Sequence, residues 1–253
     1  MMNHEFYITF FPAGASGRFL TNVLCSMVKF YQDNPIILTN YNSAHDMNYW
    51  NDGYHLKNLP KITNIDHQNP KFFEYIELTK PVTFVISHQT PNFDLIFSRF
   101  PKTLITIISV AEKNFYEISY NSLLKNGFEC IDTKESLEVQ FIKNFYKIHL
   151  KEEYKGQKLP LELKKKLFDS YNDYMSRVLK RSFFLNPIIP KKYENNVLVL
   201  SFDDIMNNMD LTLAKLSNFS TYKVTSNAVV LYEHYLEGRN KLINQHMPWL
   251  KNT

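Results

Sequence analysis

Cysteine is nearly absent from this chain, with only Cys25 and Cys130 among 253 residues. Both lie among apolar neighbours, so buried free thiols are expected rather than a disulfide framework. Glycine is scarce as well, at 6 residues, and no stretch rich in glycine, serine or proline divides the chain. A single domain over residues 1–253 is therefore expected, and 44% hydrophobic residues give it a substantial core. The N-terminal apolar run over residues 6–11 meets a glycine-containing stretch at once and is too short for a signal segment or a membrane span. That points to a cytoplasmic protein without a membrane partner. The net charge of +4 has no concentrated Lys/Arg face behind it, which permits an anionic ligand and gives no case for nucleic acid. The histidines show no metal-ligand spacing, so no metal is expected. Also missing is the nucleotide-binding pattern Gly-x-x-x-x-Gly-Lys-Ser/Thr.

What the chain does have is a strand, loop and helix near its start. Phe6-Tyr7-Ile8-Thr9-Phe10-Phe11 is aromatic and β-branched, Pro12-Ala13-Gly14-Ala15-Ser16-Gly17-Arg18 is small and glycine-containing, and Phe19 to Leu24 places apolar residues at helical spacing. The free N–H groups of such a loop and of the helix's first turn, with the helix dipole behind them, make an anion cradle. The glycines are three apart, and Arg18 stands where a lysine would follow the second. The same residues also fit a tight βα turn that holds no ligand.

Further along, residues 35–39 read as a short strand. Residues 40–81 mix Asn, Asp, His, Tyr and Lys with no sustained period, which marks a substrate-facing or lid insertion, or a merely decorative one. Near-continuous apolar runs at 81–88 and 103–110 fit strands buried on both faces of a parallel sheet. Helices are expected at 92–100, at 112–125 and between 133 and 181, then a strand at 196–202. Asp203-Asp204 are positioned to cap a helix running through Leu216, and a last helix covers 228–244. Alternating strands and helices argue an α/β fold with a mostly parallel, doubly wound sheet. Such a sheet brings the glycine loop, Ser87-His88, the segment 110–119 and the residues 201–204 to one edge.

These segments together resemble the sulfotransferase family, whose P-loop-like fold carries sulfuryl transfer from the donor PAPS to a hydroxyl or amine. The family's first loop has the form Pro-Lys-Ser-Gly-Thr. Pro12 and Ser16-Gly17 match it with one extra residue, whereas Ala13 or Ala15 occupies the lysine's position. Arg18 is the cation available to stabilise the leaving bridging oxygen. The resemblance thus implies donor contacts from Gly14, Ala15, Ser16, Gly17, Arg18 and Phe19.

Ser87-His88-Gln89-Thr90-Pro91 is similar to the family's Thr-His-Leu-Pro segment, which makes His88 the base that takes the acceptor's proton. A histidine that merely caps the strand end fits the same position. In the passage after the next strand, the family grips the donor's 3′-phosphate with an arginine and, eight residues on, a serine. Ser119 fits the serine, Ala111 stands at the arginine's place, and Lys113 is the nearby cation. Arg239, in Glu237-Gly238-Arg239-Asn240-Lys241, is similar to the basic segment that closes over that phosphate, and a solvated helix end fits it too.

Three functions follow as expectations. The first is sulfuryl transfer from PAPS to a hydroxyl of a small molecule or glycan. The second is a non-catalytic descendant that binds a nucleotide or glycan. The third is an ATP-dependent phosphotransferase, disfavoured by the missing Gly-Lys-Ser/Thr and by having only Asp203-Asp204 to hold magnesium.

Overall fold

The computed structural model describes residues 5–27, 82–123, 142–153 and 161–246. The expected strand at 35–39, the insertion at 40–81 and Cys130 lie outside the described residues.

Strand β1, Glu5–Phe10, enters a turn and then helix α1, Gly17–Met27. Strand β2, Val82–Ser87, is followed by helix α2, Phe93–Arg99, whose first turn is capped by the Asn92 carboxamide accepting from the Leu95 N–H. Strand β3, Leu104–Ser109, passes through a 3-10 turn, Glu112–Asn114, into helix α3, Phe115–Leu123. A π-helical turn at Tyr146–Leu150 precedes helix α4, Leu161–Lys180. Strand β4, Val197–Ser201, leads into helices α5, Phe202–Asn207, and α6, Met209–Ser220, and helix α7, Ser226–His246, follows.

The four strands are all parallel, in the order β2-β1-β3-β4. The chain moves from β1 to one side and then crosses to the other, so the strand order reverses between β1 and β3. In open α/β sheets that reversal opens a crevice at the strands' C-terminal ends. Helices cover both faces. Thr9 accepts a hydrogen bond from Thr21 of α1 on one face, while Phe6, on the other, packs its ring against Phe100 just beyond α2. Two-sided cover explains why Phe6 through Phe11 are all buried, and why β1 carries no alternation of polar and apolar residues. The sheet core continues through Phe84, Ile86, Ile105, Ile107 and Leu200. A second buried cluster joins Tyr120 of α3 to Phe145, Tyr146, Leu167, Phe168 and Tyr171, aromatic stripes acting as core. Among the described residues, no helix is long and apolar enough to cross a membrane.

One local expectation is corrected. Asp203 and Asp204 do not cap a helix running through Leu216. Ser201, the last residue of β4, has the extended backbone of an N-cap, and its hydroxyl accepts from the Asp204 N–H at 3.0 Å. The two aspartates lie inside the first turn, where their charge meets the helix dipole. The helix ends at Asn207, because Asn208 leaves the helical region and caps α6 by accepting from the Leu211 N–H.

Candidate functional site

Since the strands run in parallel, the residues after β1, β2, β3 and β4 line one edge of the sheet, as expected from the sequence. After β1 the chain makes a turn closed by the Ala15 N–H donating to the Pro12 carbonyl at 3.1 Å. Gly14 has φ +86, and a side chain there would run into the Ile118 carbonyl at 2.2 Å. The Gly14 carbonyl accepts from Asn121 of α3 at 3.2 Å. Gly17 is equally confined, because an added carbon would overlap the Phe11 ring. The glycine loop is thus wedged between β1 and α3 and held there from both sides.

Helix α1 starts at Gly17, and the Leu20 N–H donating to the Ser16 carbonyl at 3.1 Å opens its hydrogen-bond ladder. The first-turn N–H groups of any helix lack an acceptor in the helix itself, which is what makes a helix N-terminus suited to an anion. Residues around this turn divide sharply. Ala15, Ser16, Gly17 and Phe19 are buried, backbone included, whereas Arg18 in the first turn is half-buried. The Ser16 hydroxyl hydrogen-bonds the Tyr235 hydroxyl of α7, and the Phe19 ring stacks on that same tyrosine.

His88 lies at the end of the neighbouring strand. The sheet ladder extends past β1 through the Phe11 N–H donating to the Ser87 carbonyl at 3.0 Å, which brings His88 against Phe11. Its Nδ1 is 2.9 Å from the Phe11 carbonyl, and the two rings meet edge to face at 4.4 Å. A carbonyl oxygen can only accept, so Nδ1 carries the hydrogen and the neutral ring presents its basic lone pair at Nε2. The ring is half-buried. His88 is therefore fixed in orientation and tautomer by the strand that leads into the glycine loop.

The residues beyond β3 are placed differently. Ala111 is exposed, and its N–H donates to the Asn114 side chain at 3.0 Å. Lys113 is exposed and ion-paired with Asp203 at 3.0 Å, which ties the turn after β3 to the helix after β4. Ser119 is fully buried in α3, with its hydroxyl between the Phe115 carbonyl at 2.7 Å and the Asn172 side chain of α4 at 3.0 Å. Arg239 of α7 faces Glu117 of α3 in a two-pronged pair, Nε to Oε1 and an Nη to Oε2. Only 12% of the arginine side chain is exposed, so this pair forms in partial shelter from water. The edge thus carries the glycine loop with His88 held against Phe11, and the side chains of Lys113, Ser119 and Arg239 are engaged by other protein groups.

Charge at this edge is balanced locally. Asp204 is held below the usual carboxylate range by the Lys215 ammonium donating to it, with burial opposing and the Ser201 hydroxyl adding a smaller lowering. Burial pushes the Cys25 thiol in α1 well above its ordinary value, leaving it inert. Among the described residues, no cluster of three His, Cys, Asp or Glu side chains could hold a metal.

Sequence reasoning missed Tyr235, Asn121 and Glu117, each of which grips a named site residue. Glu117 and Asn121 lie in a helix that the periodicity located, but nothing in a single sequence says which loop a helix will touch. Tyr235 stands 219 positions from Ser16.

No protein-family model, no curated protein and no solved structure matches the chain.

Proposed function

We propose that the chain is a transferase with a sulfotransferase-type P-loop-like fold, moving a sulfuryl group from PAPS to a hydroxyl of a small molecule or glycan. The observation that carries this reading is the bond between His88 Nδ1 and the Phe11 carbonyl, which sets Nε2 as a base beside the glycine loop. The first-turn N–H groups of α1 and the Arg18 guanidinium fit the donor's phosphosulfate, a compact anion with several acceptor oxygens. His88 takes the proton of the acceptor hydroxyl as that oxygen bonds to sulfur and the sulfur to bridging-oxygen bond breaks. Arg18 balances the charge left on the bridging oxygen. The 3′-phosphate of such a donor meets Lys113 and Arg239 only in exchange with Asp203 and Glu117.

The test is a split between turnover and binding. His88→Ala lowers turnover by about 10²–10⁴-fold, the usual worth of a positioned base. Its affinity for PAP, the desulfated donor, stays within about twofold of the unaltered protein, because the imidazole reads the acceptor rather than the donor. An equal loss of binding and turnover would make His88 a structural cap.

A second reading is a descendant that binds a nucleotide or glycan without turnover. It is favoured by the alanines at 13, 15 and 111 and by the internal ties of Ser119 and Arg239. PAP binding with no transfer to any hydroxyl acceptor would select it. The phosphotransferase reading loses support, since Asp203 and Asp204 are each ion-paired with a lysine rather than turned toward a cation site.

A further inference from the structure

Gly17 opens α1, yet its backbone does not call for glycine. Among the described glycines only Gly14 has a left-handed φ. What Gly17 supplies is space. A carbon added there would overlap Cγ, Cδ1 and Cε1 of the Phe11 ring, the near edge of a side chain that is only 4% exposed. The Phe11 ring therefore sits against the bare Cα of Gly17.

Phe11 in turn holds its neighbour on β2. Its N–H donates to the Ser87 carbonyl at 3.0 Å, which keeps it level with the end of that strand. Its carbonyl accepts from His88 Nδ1 at 2.9 Å, and its ring meets the imidazole with centroids 4.4 Å apart and planes at 72°. One hydrogen bond leaves an imidazole free to swing about it, and a half-buried ring can exchange a carbonyl for water. A second contact at an angle to the first removes that freedom. We propose that Phe11 is the positioning residue of His88 and that Gly17 is the seat of its ring: the missing side chain at 17 lets the ring fix the imidazole plane, so that the hydrogen stays on Nδ1 and the lone pair on Nε2. The inference rests on the reading of His88 as the base. It reassigns Gly17 from donor contact to support of that base.

The tautomer of His88 is a readout that loss of core packing alone would not move. The experiment uses the full chain, labelled with nitrogen-15, in four forms: unaltered, Gly17→Ala, Phe11→Leu and the two together. A His88→Ala spectrum identifies the His88 signals among the eight histidines. Long-range proton–nitrogen correlation at about pH 9, where ordinary imidazoles are neutral, shows which ring nitrogen carries the hydrogen. In the unaltered protein it is Nδ1. Gly17→Ala and Phe11→Leu are each expected to shift the balance toward the Nε2–H form, by up to about tenfold, the worth of an edge-to-face pair. Combined with Phe11→Leu, the Gly17→Ala change adds less than about twofold, because the ring it displaces is gone. An unaltered tautomer in Phe11→Leu would overturn the proposal, since the carbonyl would then hold His88 without the ring. So would a Gly17→Ala effect undiminished beside Phe11→Leu. If Gly17→Ala does not fold, the Phe11→Leu spectrum decides alone. Tautomer shifts as expected in a protein that transfers no sulfuryl group would uphold the positioning and remove the base reading.

Discussion

At Gly14 a single added carbon sets the loop against a helix backbone. The Ile118 carbonyl would sit 2.2 Å from that carbon, and φ +86 disfavours any side chain regardless of space. Neither α3 nor the loop can yield cheaply, because Asn121 pins the Gly14 carbonyl from the same helix. Gly14→Ala is accordingly expected to cost about 2–4 kcal/mol in denaturant unfolding, combining the left-handed penalty with overpacking against backbone. Stability within about 0.5 kcal/mol of the unaltered protein would show that the loop is not wedged as described. The sequence announced the glycines and the neighbouring strand end, since small residues and an apolar run are local signals. It did not announce the neighbours that give those residues their roles. That the Ser16 and Ser119 hydroxyls turn inward, to Tyr235 and Asn172, depends on how distant helices pack.

Among the elements, most strands and helices of the described residues were legible because their hydrophobic periods are strong, whereas the helical pattern read over 133–181 is broken by a π-helical turn at Tyr146–Leu150 and a left-handed Lys151. Both β2 and β3 read as near-continuous apolar runs, and the residues Phe93, Ile96 and Phe97 share the buried face of α2. The passage after β4 was less legible. Serine and two aspartates in sequence offer competing caps, and backbone conformation rather than residue type chose Ser201. Its consequence is electrostatic. With the aspartates inside the first turn, Asp204 reaches Lys215 of α6 at 2.9 Å and links α5 to its neighbour. The pair depresses the Asp204 carboxyl below its ordinary 3.8. A depressed carboxyl contributes stability above its unfolded value and loses it as pH falls through the folded one. Asp204→Asn should therefore melt below the unaltered protein near pH 6, by the effect of a partly exposed pair worth under about 1 kcal/mol. The gap in Tm should close as the pH drops from about 4 toward 3. A gap that stays constant with pH would mean the ion pair contributes nothing.

For the whole molecule, the parallel order β2-β1-β3-β4 turns four separate sequence signals into one edge. That convergence was foreseeable from the alternation of strands and helices, because right-handed crossovers leave few other arrangements. The part of the edge that could not be foreseen is its division of labour. Around β1 and β2 His88 is held against Phe11 next to the loop, and around β3 and β4 charged side chains pair across elements: Lys113 with Asp203, Lys215 with Asp204. Helix α7 is the element that joins the halves, through Tyr235 on the loop and Arg239 on Glu117. Long-range partners of this kind arise from tertiary packing and leave no periodic trace in the chain. A donor with a second phosphate would have to compete for these paired cations.

The most direct measurement of the central claim is isothermal titration of the full chain with PAP, with ADP alongside at the same moderate salt. Sulfuryl transfer from PAPS predicts low-micromolar binding of PAP that exceeds ADP, the difference being the free energy of reading the 3′-phosphate with Lys113 or Arg239 drawn from its carboxylate. Absence of PAP binding would contradict the account and leave a parallel α/β fold whose glycine loop closes a turn.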